Sequence, residues 1–227
     1  MPNAQKKDQR DIYYWPIFTY SFLCIAQLAC KELLKQDFDK YTKKNEIEKY
    51  EIKDLYISII FNIKHSLELF IKTLSIFAYG TYDTGHDITI LFTDVQNKIK
   101  NIPLTPTNDG YINKTTTNRN GFANIYQEQI NSIPQLLQSI KQIIEDFDQL
   151  IFLNGVLVPH QVIHDEKNDI FRYPINAANL SIDWDNVIAR TDHLDIQILL
   201  QHINDFYSAS YQILKIFHKY KLIETKI

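Results

Sequence analysis

The last part of the chain carries the sequence feature that most constrains the fold, a row of mainly apolar residues at alternating spacings of three and four. The row consists of Ile196, Leu199, Ile203, Phe206, Ser210, Ile213, Phe217 and Tyr220. Because an α-helix has 3.6 residues per turn, this spacing places the whole row on one face. Such a face must pack against other elements. The pattern therefore predicts a long helix that packs on a core.

The same periodicity occurs in four earlier segments. It predicts helices over residues 15–36 and 54–78, a short helix from 88 to about 99, and a helical region over 122–153 with a kink near Pro134. Only 5 Gly and 7 Pro occur among 227 residues, whereas sandwiches and barrels need many turns rich in Gly and Pro. We therefore predict an all-α, up-and-down bundle of about five helices, folded as a single domain over residues 1–227.

Apolar residues at alternating spacings of three and four define the expected core faces of the first two helices. In the first helix they are Phe18, Phe22, Ile25, Ala29 and Leu33. In the second they are Leu55, Ile59, Ile63, Leu67, Phe70, Leu74 and Phe77. The charged link over residues 37–53 is expected to be a solvated loop or an exposed helix. Asp87 is placed to cap the short helix, and Asp192 with Asp195 resembles a capping box for the last one.

Two segments do not follow the helical pattern. Residues 101–121 are rich in Thr, Asn and Gly, which predicts an exposed, flexible loop. Short β-prone runs at residues 156–158, 162–163 and 170–173 predict a small β-hairpin insert near 156–175, with a polar turn at 165–169.

Composition and charge restrict the function class. The net charge is −3 and the pI about 6.2, so the average charge supplies no cationic surface for nucleic acid. Cys24 and Cys30 are six residues apart on one helix, too far to form a disulfide, and are expected to be buried in a reducing compartment. Residues 1–10 are polar, and the apolar run 17–30 is shorter than a membrane span. We expect a soluble, cytoplasmic protein without a membrane segment.

A polar stripe on the second helix contains the first candidate functional residues. It comprises Ser58, Asn62, His65, Glu68 and Lys72. One interpretation is a solvated face with a Glu68–Lys72 ion pair at i, i+4. The other is a groove or dimer surface on which His65 and Glu68 bind a ligand.

Two further candidates lie outside this stripe. His86 precedes a predicted helix start, where a neutral, hydrogen-bonded imidazole is favoured over a cation. Arg172 lies between aromatic and proline neighbours and is either fixed by a carboxylate or a ring, or binds phosphate. His160 and His164 have metal-ligand spacing, but their surroundings predict an extended chain. The sequence contains no Gly-rich phosphate loop or nucleophile-elbow motif, and we predict no metal and no cofactor.

The second helix and the residues after it resemble the HEPN superfamily of helical bundles. The residues concerned are Lys64-His65-Ser66-Leu67-Glu68-Leu69-Phe70-Ile71-Lys72, then Gly85-His86-Asp87-Ile88 and Leu91. Residues 171–174 also resemble an insert in bacterial HEPN-like proteins, so that the likeness covers about residues 50–100 and 170–215. The resemblance implies a bundle of four or five helices, usually a homodimer. Many members are metal-independent ribonucleases of toxin–antitoxin and phage-defence systems.

Those ribonucleases use an Arg followed by a His after four to six intervening residues. The His moves protons at the ribose 2′-OH, and the Arg binds the phosphate. None of the arginines here, Arg10, Arg119, Arg172 and Arg190, has a His at that offset.

We therefore predict a non-catalytic HEPN-like binding or interaction protein and name no confident catalytic residue. A nucleotide, RNA or a partner protein would bind at His65, Glu68, Lys72, His86 and Arg172. The alternative is a divergent metal-independent HEPN ribonuclease in which Arg172 acts with His86 or His65, so the sequence leaves enzymatic activity open.

Surplus apolar surface also predicts a homodimer. The first helix is apolar on more than one side, and the last helix has a second row made of Leu200, Tyr207, Tyr211 and Leu214. A small bundle buries one stripe per peripheral helix, so a twofold dimer would cover the second row. The alternative is that the 101–121 loop or the hairpin covers it.

Overall fold

Five helices and two short strands make up most of the part of the chain that the computed structural model describes. The described residues are 14–35, 46–79, 81–100, 128–151, 153, 155–158, 161–164 and 195–220. The helices are α1 (Tyr14–Lys35), α2 (Glu46–Tyr79), α3 (Ile88–Lys100), α4 (Ile133–Ile151) and α5 (Ile196–Tyr220). The all-α bundle is therefore confirmed. The predicted 101–121 loop lies outside the described residues.

The five helices share one apolar core, and α2 lies at its centre. α2 packs against α1, α3 and α5, and α5 also packs against α1 and α4. The predicted stripe of α2 is confirmed: Ile59, Ile63, Leu67, Phe70 and Leu74 have no exposed surface, and Leu55 and Phe77 at its ends are partly buried. α2 begins at Glu46, well before the predicted residue 54. The second half of the charged link is thus helical.

The buried face of α1 differs from the predicted one. Its buried residues are Thr19, Leu23, Ala26, Cys30 and Leu33, whereas Phe18 and Ile25 are 55% and 47% exposed. The small side chains allow α1 to approach α2 closely, and Ser66 Oγ donates a hydrogen bond to the Thr19 carbonyl at 2.9 Å. The expectation that both cysteines are buried is also wrong, because Cys24 is exposed.

The ends of the helices show how the sequence specifies them. Asp87 caps α3, since its Oδ1 accepts the Ile90 N–H at 2.8 Å. Asp195 itself caps α5 by accepting from Gln197 and Ile198, so it is the N-cap residue and not the third helical residue of a box begun by Asp192. The predicted kink near Pro134 is a break: residues 128–131 are helical, Ser132 is a turn, and α4 begins at Ile133.

Two four-residue strands follow α4. β1 (Gly155–Val158) pairs antiparallel with β2 (Gln161–His164), with Gly155 opposite His164 and Val158 opposite Gln161. The first two β-prone runs pair with each other. The third run and the turn expected at 165–169 lie outside the described residues, so the full extent of the insert stays a prediction.

The length of α1 bears on the expectation that no segment spans a membrane. Among the described helices, α1 is the one that is long and apolar enough to cross a bilayer. Core helices of soluble proteins and N-terminal signal sequences have the same properties. The absence of a membrane segment therefore stays a prediction.

Candidate functional site

Three of the predicted site residues meet where the segment after α2 lies against that helix. Lys72 Nζ donates to Glu68 Oε1 at 2.7 Å, one helical turn away. His86 Nδ1 lies 3.0 Å from the same carboxylate oxygen. Glu68 and Lys72 belong to α2, and His86 lies just before α3. The structure thus brings together residues that two separate sequence patterns had identified.

This cluster is largely shielded from water. The side chains of Glu68 and Lys72 are 5% and 8% exposed, and that of His86 is 33% exposed. A buried charge is tolerated only when it is paired and hydrogen-bonded, and the Lys72 ammonium and the Glu68 carboxylate meet this condition for each other. The predicted ion pair is confirmed, but the interpretation of the stripe as a solvated face is wrong.

Two aromatic residues that the sequence did not identify as candidates extend the cluster towards the surface. Lys72 Nζ lies 5.9 Å from the ring centroid of Tyr82, within the range of a cation–π contact. The Tyr82 ring in turn packs against Trp15 of α1, with centroids 4.9 Å apart and planes tilted by 53°. Both rings are partly buried. α1, α2 and the segment 81–87 therefore converge on one site.

His65 packs differently from the three clustered residues. Its ring is stacked on Phe61 at 5.5 Å and meets the edge of Phe22 at 4.5 Å. Asn62, one turn earlier, donates to the Ser58 carbonyl at 2.6 Å. His65 is thus part of an aromatic contact between α1 and α2. Arg172, the remaining candidate, lies outside the described residues.

The Glu68–His86 contact has chemical consequences. A carboxylate oxygen accepts hydrogen bonds, so the contact favours the tautomer or cation with a proton on Nδ1. In the neutral ring this leaves Nε2 as the basic nitrogen. An imidazole oriented in this way by a carboxylate can accept and return a proton. Within the described parts of the chain, no three His, Cys, Asp or Glu side chains are grouped so as to hold a metal ion.

Comparisons of the chain with protein-family models, with curated proteins and with solved structures gave no match. The resemblance to HEPN proteins therefore rests on the residues quoted for it above.

Proposed function

We propose that this chain is a non-catalytic, HEPN-like interaction protein that binds other protein surfaces, and first a second copy of itself, through α1. The observation that carries the proposal is the face of α1 opposite its buried face, which we call the outer face. It comprises Tyr14, Ile17, Phe18, Ser21, Cys24, Ile25 and Leu28. All of these residues are exposed.

The outer face is large and uncharged. Its five large apolar residues are each 47–58% exposed, and no charged residue occurs from residue 12 to residue 30. Isolated exposed apolar residues are normal on a protein surface, whereas a contiguous apolar patch marks an interaction site. Five such residues on one helix face form a contiguous patch, which supports an interaction role.

The polar cluster supports the non-catalytic part of the proposal. The charges of Glu68 and Lys72 are satisfied by each other and lie almost entirely below the surface. A group that binds substrate must be able to exchange its internal partner for the substrate. We infer that the cluster holds residues 81–87 and the start of α3 against α2. A role in a toxin–antitoxin or phage-defence system, with RNA, a nucleotide or a second protein as partner, belongs to the same proposal.

The second row of α5, which the sequence assigned to the dimer, contributes less surface than expected. Leu214 is buried within the chain, and Leu200 is partly buried. Tyr207 and Tyr211 remain half-exposed and pack against Tyr20 of α1 at 5.1 and 6.2 Å between ring centroids. The two tyrosines therefore adjoin the outer face of α1.

Light scattering of the purified chain over a dilution series tests the proposal. We expect about twice the chain mass of 26.8 kDa at high concentration and the monomer mass on dilution. Ile17→Asp should give a monomer throughout. Ile90→Asp is the matched control, because Ile90 is 60% exposed and Ile17 58%, but Ile90 lies on α3. A monomer at every wild-type concentration, or equal effects of both substitutions, would overturn self-association through α1.

A specific observation also favours the alternative, a divergent metal-independent ribonuclease. The ring of His86 is held by Glu68 and remains one-third exposed, an arrangement compatible with proton transfer. The test is RNA cleavage by chelator-treated protein, with His86→Ala, Arg172→Ala and His202→Ala compared. Cleavage lost in the first two variants and retained in the third would establish the ribonuclease and exclude the non-catalytic proposal.

A further inference from the structure

The positions of the outer face of α1 are arranged symmetrically about Ser21. Tyr14 and Leu28 lie seven residues on either side of it, Ile17 and Ile25 lie four, and Phe18 and Cys24 lie three. Ser21, the smallest residue of the face, therefore lies at its midpoint, and in two of the three pairs of positions the residue on the N-terminal side is larger than its counterpart. An antiparallel copy places each residue against its counterpart position, so this surface matches large residues with smaller ones when the copy runs the opposite way.

Ser21 does not prevent the middle of the face from being buried. Its hydroxyl already donates to the Ile17 carbonyl of its own helix at 2.8 Å. A polar group that keeps a hydrogen bond when water is removed avoids most of the desolvation cost. The outer face can thus be covered at its centre without leaving the Ser21 hydroxyl without a partner.

We propose that two copies of this chain pair their α1 helices antiparallel, about a twofold axis that passes beside Ser21. This inference rests on the proposed self-association and specifies its geometry. Phe18 then lies opposite the partner's Cys24, Tyr14 opposite the partner's Leu28, and Ile17 opposite the partner's Ile25. Large residues face smaller ones at two of these positions, which is the condition for dense packing between facing helices.

A parallel pairing fits the same residues poorly. It would place Tyr14 and Phe18 against their own copies at one end of the interface. Ser21 and Cys24 would also meet their copies, so that two small pairs would follow two aromatic pairs. Helices 8–10 Å apart cannot match both spacings at once, and such an interface would be overpacked at one end and leave a gap further along.

The available area is compatible with a dimer. A fully buried aromatic residue removes about 150–250 Å² from solvent, and the residues of the outer face are about half exposed. The outer face therefore offers roughly 600 Å² of surface for burial in each copy. A stable interface needs about 800 Å² per partner. Further apolar surface on the two sides of the outer face can supply the difference. Tyr207 and Tyr211 lie on one side, and the other has an open groove of about 660 Å³ whose apolar lining includes Ile25, Leu28, Leu34 and Leu55.

The charges near the face favour a second copy over a lipid surface. Helices that lie in a membrane interface combine an apolar face with a polar face rich in Lys and Arg. The faces of α1 beside its outer face pack against α2 and α5. The charged residues at its exposed C-terminal end are of both signs, and Glu32 pairs with Lys35 at 3.3 Å.

Disulfide trapping tests the geometry. At an axial separation of about 8–10 Å, and with Cα atoms on a cylinder of about 2.3 Å radius, facing Cα atoms lie roughly 3.4–5.4 Å apart, which overlaps the disulfide range of about 4.4–6.8 Å. The full-length Ser21→Cys/Cys24→Ser variant should form a covalent dimer with the oxidant diamide. The wild type should form little, because Cys24 faces the partner's Phe18.

The outcomes separate this inference from the proposed function. Cross-linking of the wild type at a rate equal to or above that of the variant would establish a parallel pairing, because residues 21 and 24 would then both face their own copies. If light scattering shows a dimer but neither the wild type nor the cysteine variant forms a disulfide, the interface lies outside the middle of the outer face. Either result overturns the antiparallel geometry and leaves self-association intact. The chain could instead be a monomer that floats with phosphatidylcholine vesicles. Loss of this flotation in Ile17→Asp but not in Ile90→Asp would overturn both the self-association and the antiparallel pairing, and would identify the outer face as a lipid-binding surface.

Discussion

His86 Nδ1 lies 3.0 Å from Glu68 Oε1, although 18 residues separate the two in the chain. The same oxygen accepts from Lys72 at 2.7 Å. One buried carboxylate thus connects the middle of α2 with the residue before the α3 cap. The position of the segment 81–87 therefore depends on the Glu68 side chain.

The Glu68→Gln variant should be strongly destabilised. It removes the negative charge and leaves the Lys72 ammonium buried without a counter-ion, which costs about 3–5 kcal/mol when one partner of a buried pair is lost. Urea denaturation followed by circular dichroism would measure the free energy of unfolding.

Glu145→Gln is the matched control for that experiment. Glu145 pairs with Lys141 at 3.1 Å with the same i, i+4 spacing, but both side chains are more than two-fifths exposed. Surface pairs of this kind contribute about 0–1 kcal/mol. Equal losses in the two variants would show that burial of the Glu68–Lys72 pair does not matter.

The Tyr20→Phe variant should be more stable than the wild type. Among the described residues, the Tyr20 hydroxyl is the one buried side-chain polar atom without a hydrogen bond of ordinary geometry, although the Ser210 side chain is close enough to lower its pKa in part. A buried unsatisfied hydroxyl costs about 1–3 kcal/mol, so we expect a gain of about 1 kcal/mol in thermal or urea unfolding. Tyr207→Phe, at a half-exposed neighbour, should change little. A loss of stability in Tyr20→Phe would show that the contact with Ser210 is a true hydrogen bond.

Alkaline pH should enlarge the difference between Tyr20→Phe and the wild type. Burial raises the pKa of Tyr20 from 10.0 to about 12. Between these values the unfolded chain releases the Tyr20 proton while the folded chain retains it, so stability falls as pH rises. The stability that the protonated Tyr20 contributes is therefore fully present below pH 10. Between pH 10 and about pH 12 the free energy of unfolding of the wild type falls by at most about 1.4 kcal/mol per pH unit. Urea denaturation of both proteins at pH 8 and pH 11 measures this fall as a change in the difference between their free energies of unfolding. The other tyrosines are present in both proteins, so their titration cancels in the difference. If the free energies of unfolding of Tyr20→Phe and the wild type change equally with pH, the pKa of Tyr20 is not raised in the folded chain.

The two cysteines should react at very different rates. Cys24 is exposed and Cys30 is buried, and burial raises the pKa of the Cys30 thiol to about 12. Since the thiolate is the nucleophile, a maleimide reagent should modify one cysteine in dilute native protein and the second only after unfolding. Mass spectrometry with Cys24→Ser as the control identifies the site. Rapid labelling of Cys30 in that variant would contradict the buried face of α1.

The helices that the sequence predicted best are those with one dominant apolar row. In α5 this is the row that begins at Ile196, and in α3 it is Ile88, Leu91, Val95 and Ile99; every member of these rows with a described side chain is buried. α1 is apolar on nearly every side, so two rows satisfy the same spacing. Side-chain size favours the row with Phe18 and Ile25, whereas the close approach of α2 favours the smaller one with Ala26 and Cys30. That approach is a tertiary property which no local pattern contains.

The sequence predicted the ion pair of the candidate site but not its burial, because burial is again a tertiary property. The Glu68–Lys72 pair follows from its spacing on one helix. Its burial does not, because it depends on the path of residues 81–87 and on Tyr82 beside Lys72. The contact with His86 depends on the same path. Charge pattern thus predicts which residues pair, while the tertiary fold decides whether water reaches them.

The hydrogen bond from Ser66 to the Thr19 carbonyl fixes the rotation of α1 about its own axis. One residue inserted just after Thr19 would turn everything beyond it by about 100°. Phe22, Ile25 and Ala29 would then take the positions of Leu23, Ala26 and Cys30 against α2, so most of this contact would still consist of apolar side chains. Glu32 would take the buried position of Leu33. The surface offered to other molecules would change completely. The spacing of α1 from Thr19 onward therefore determines which residues the helix exposes, and the burial of Glu32 is the main cost that such a shift of register would bring to the core.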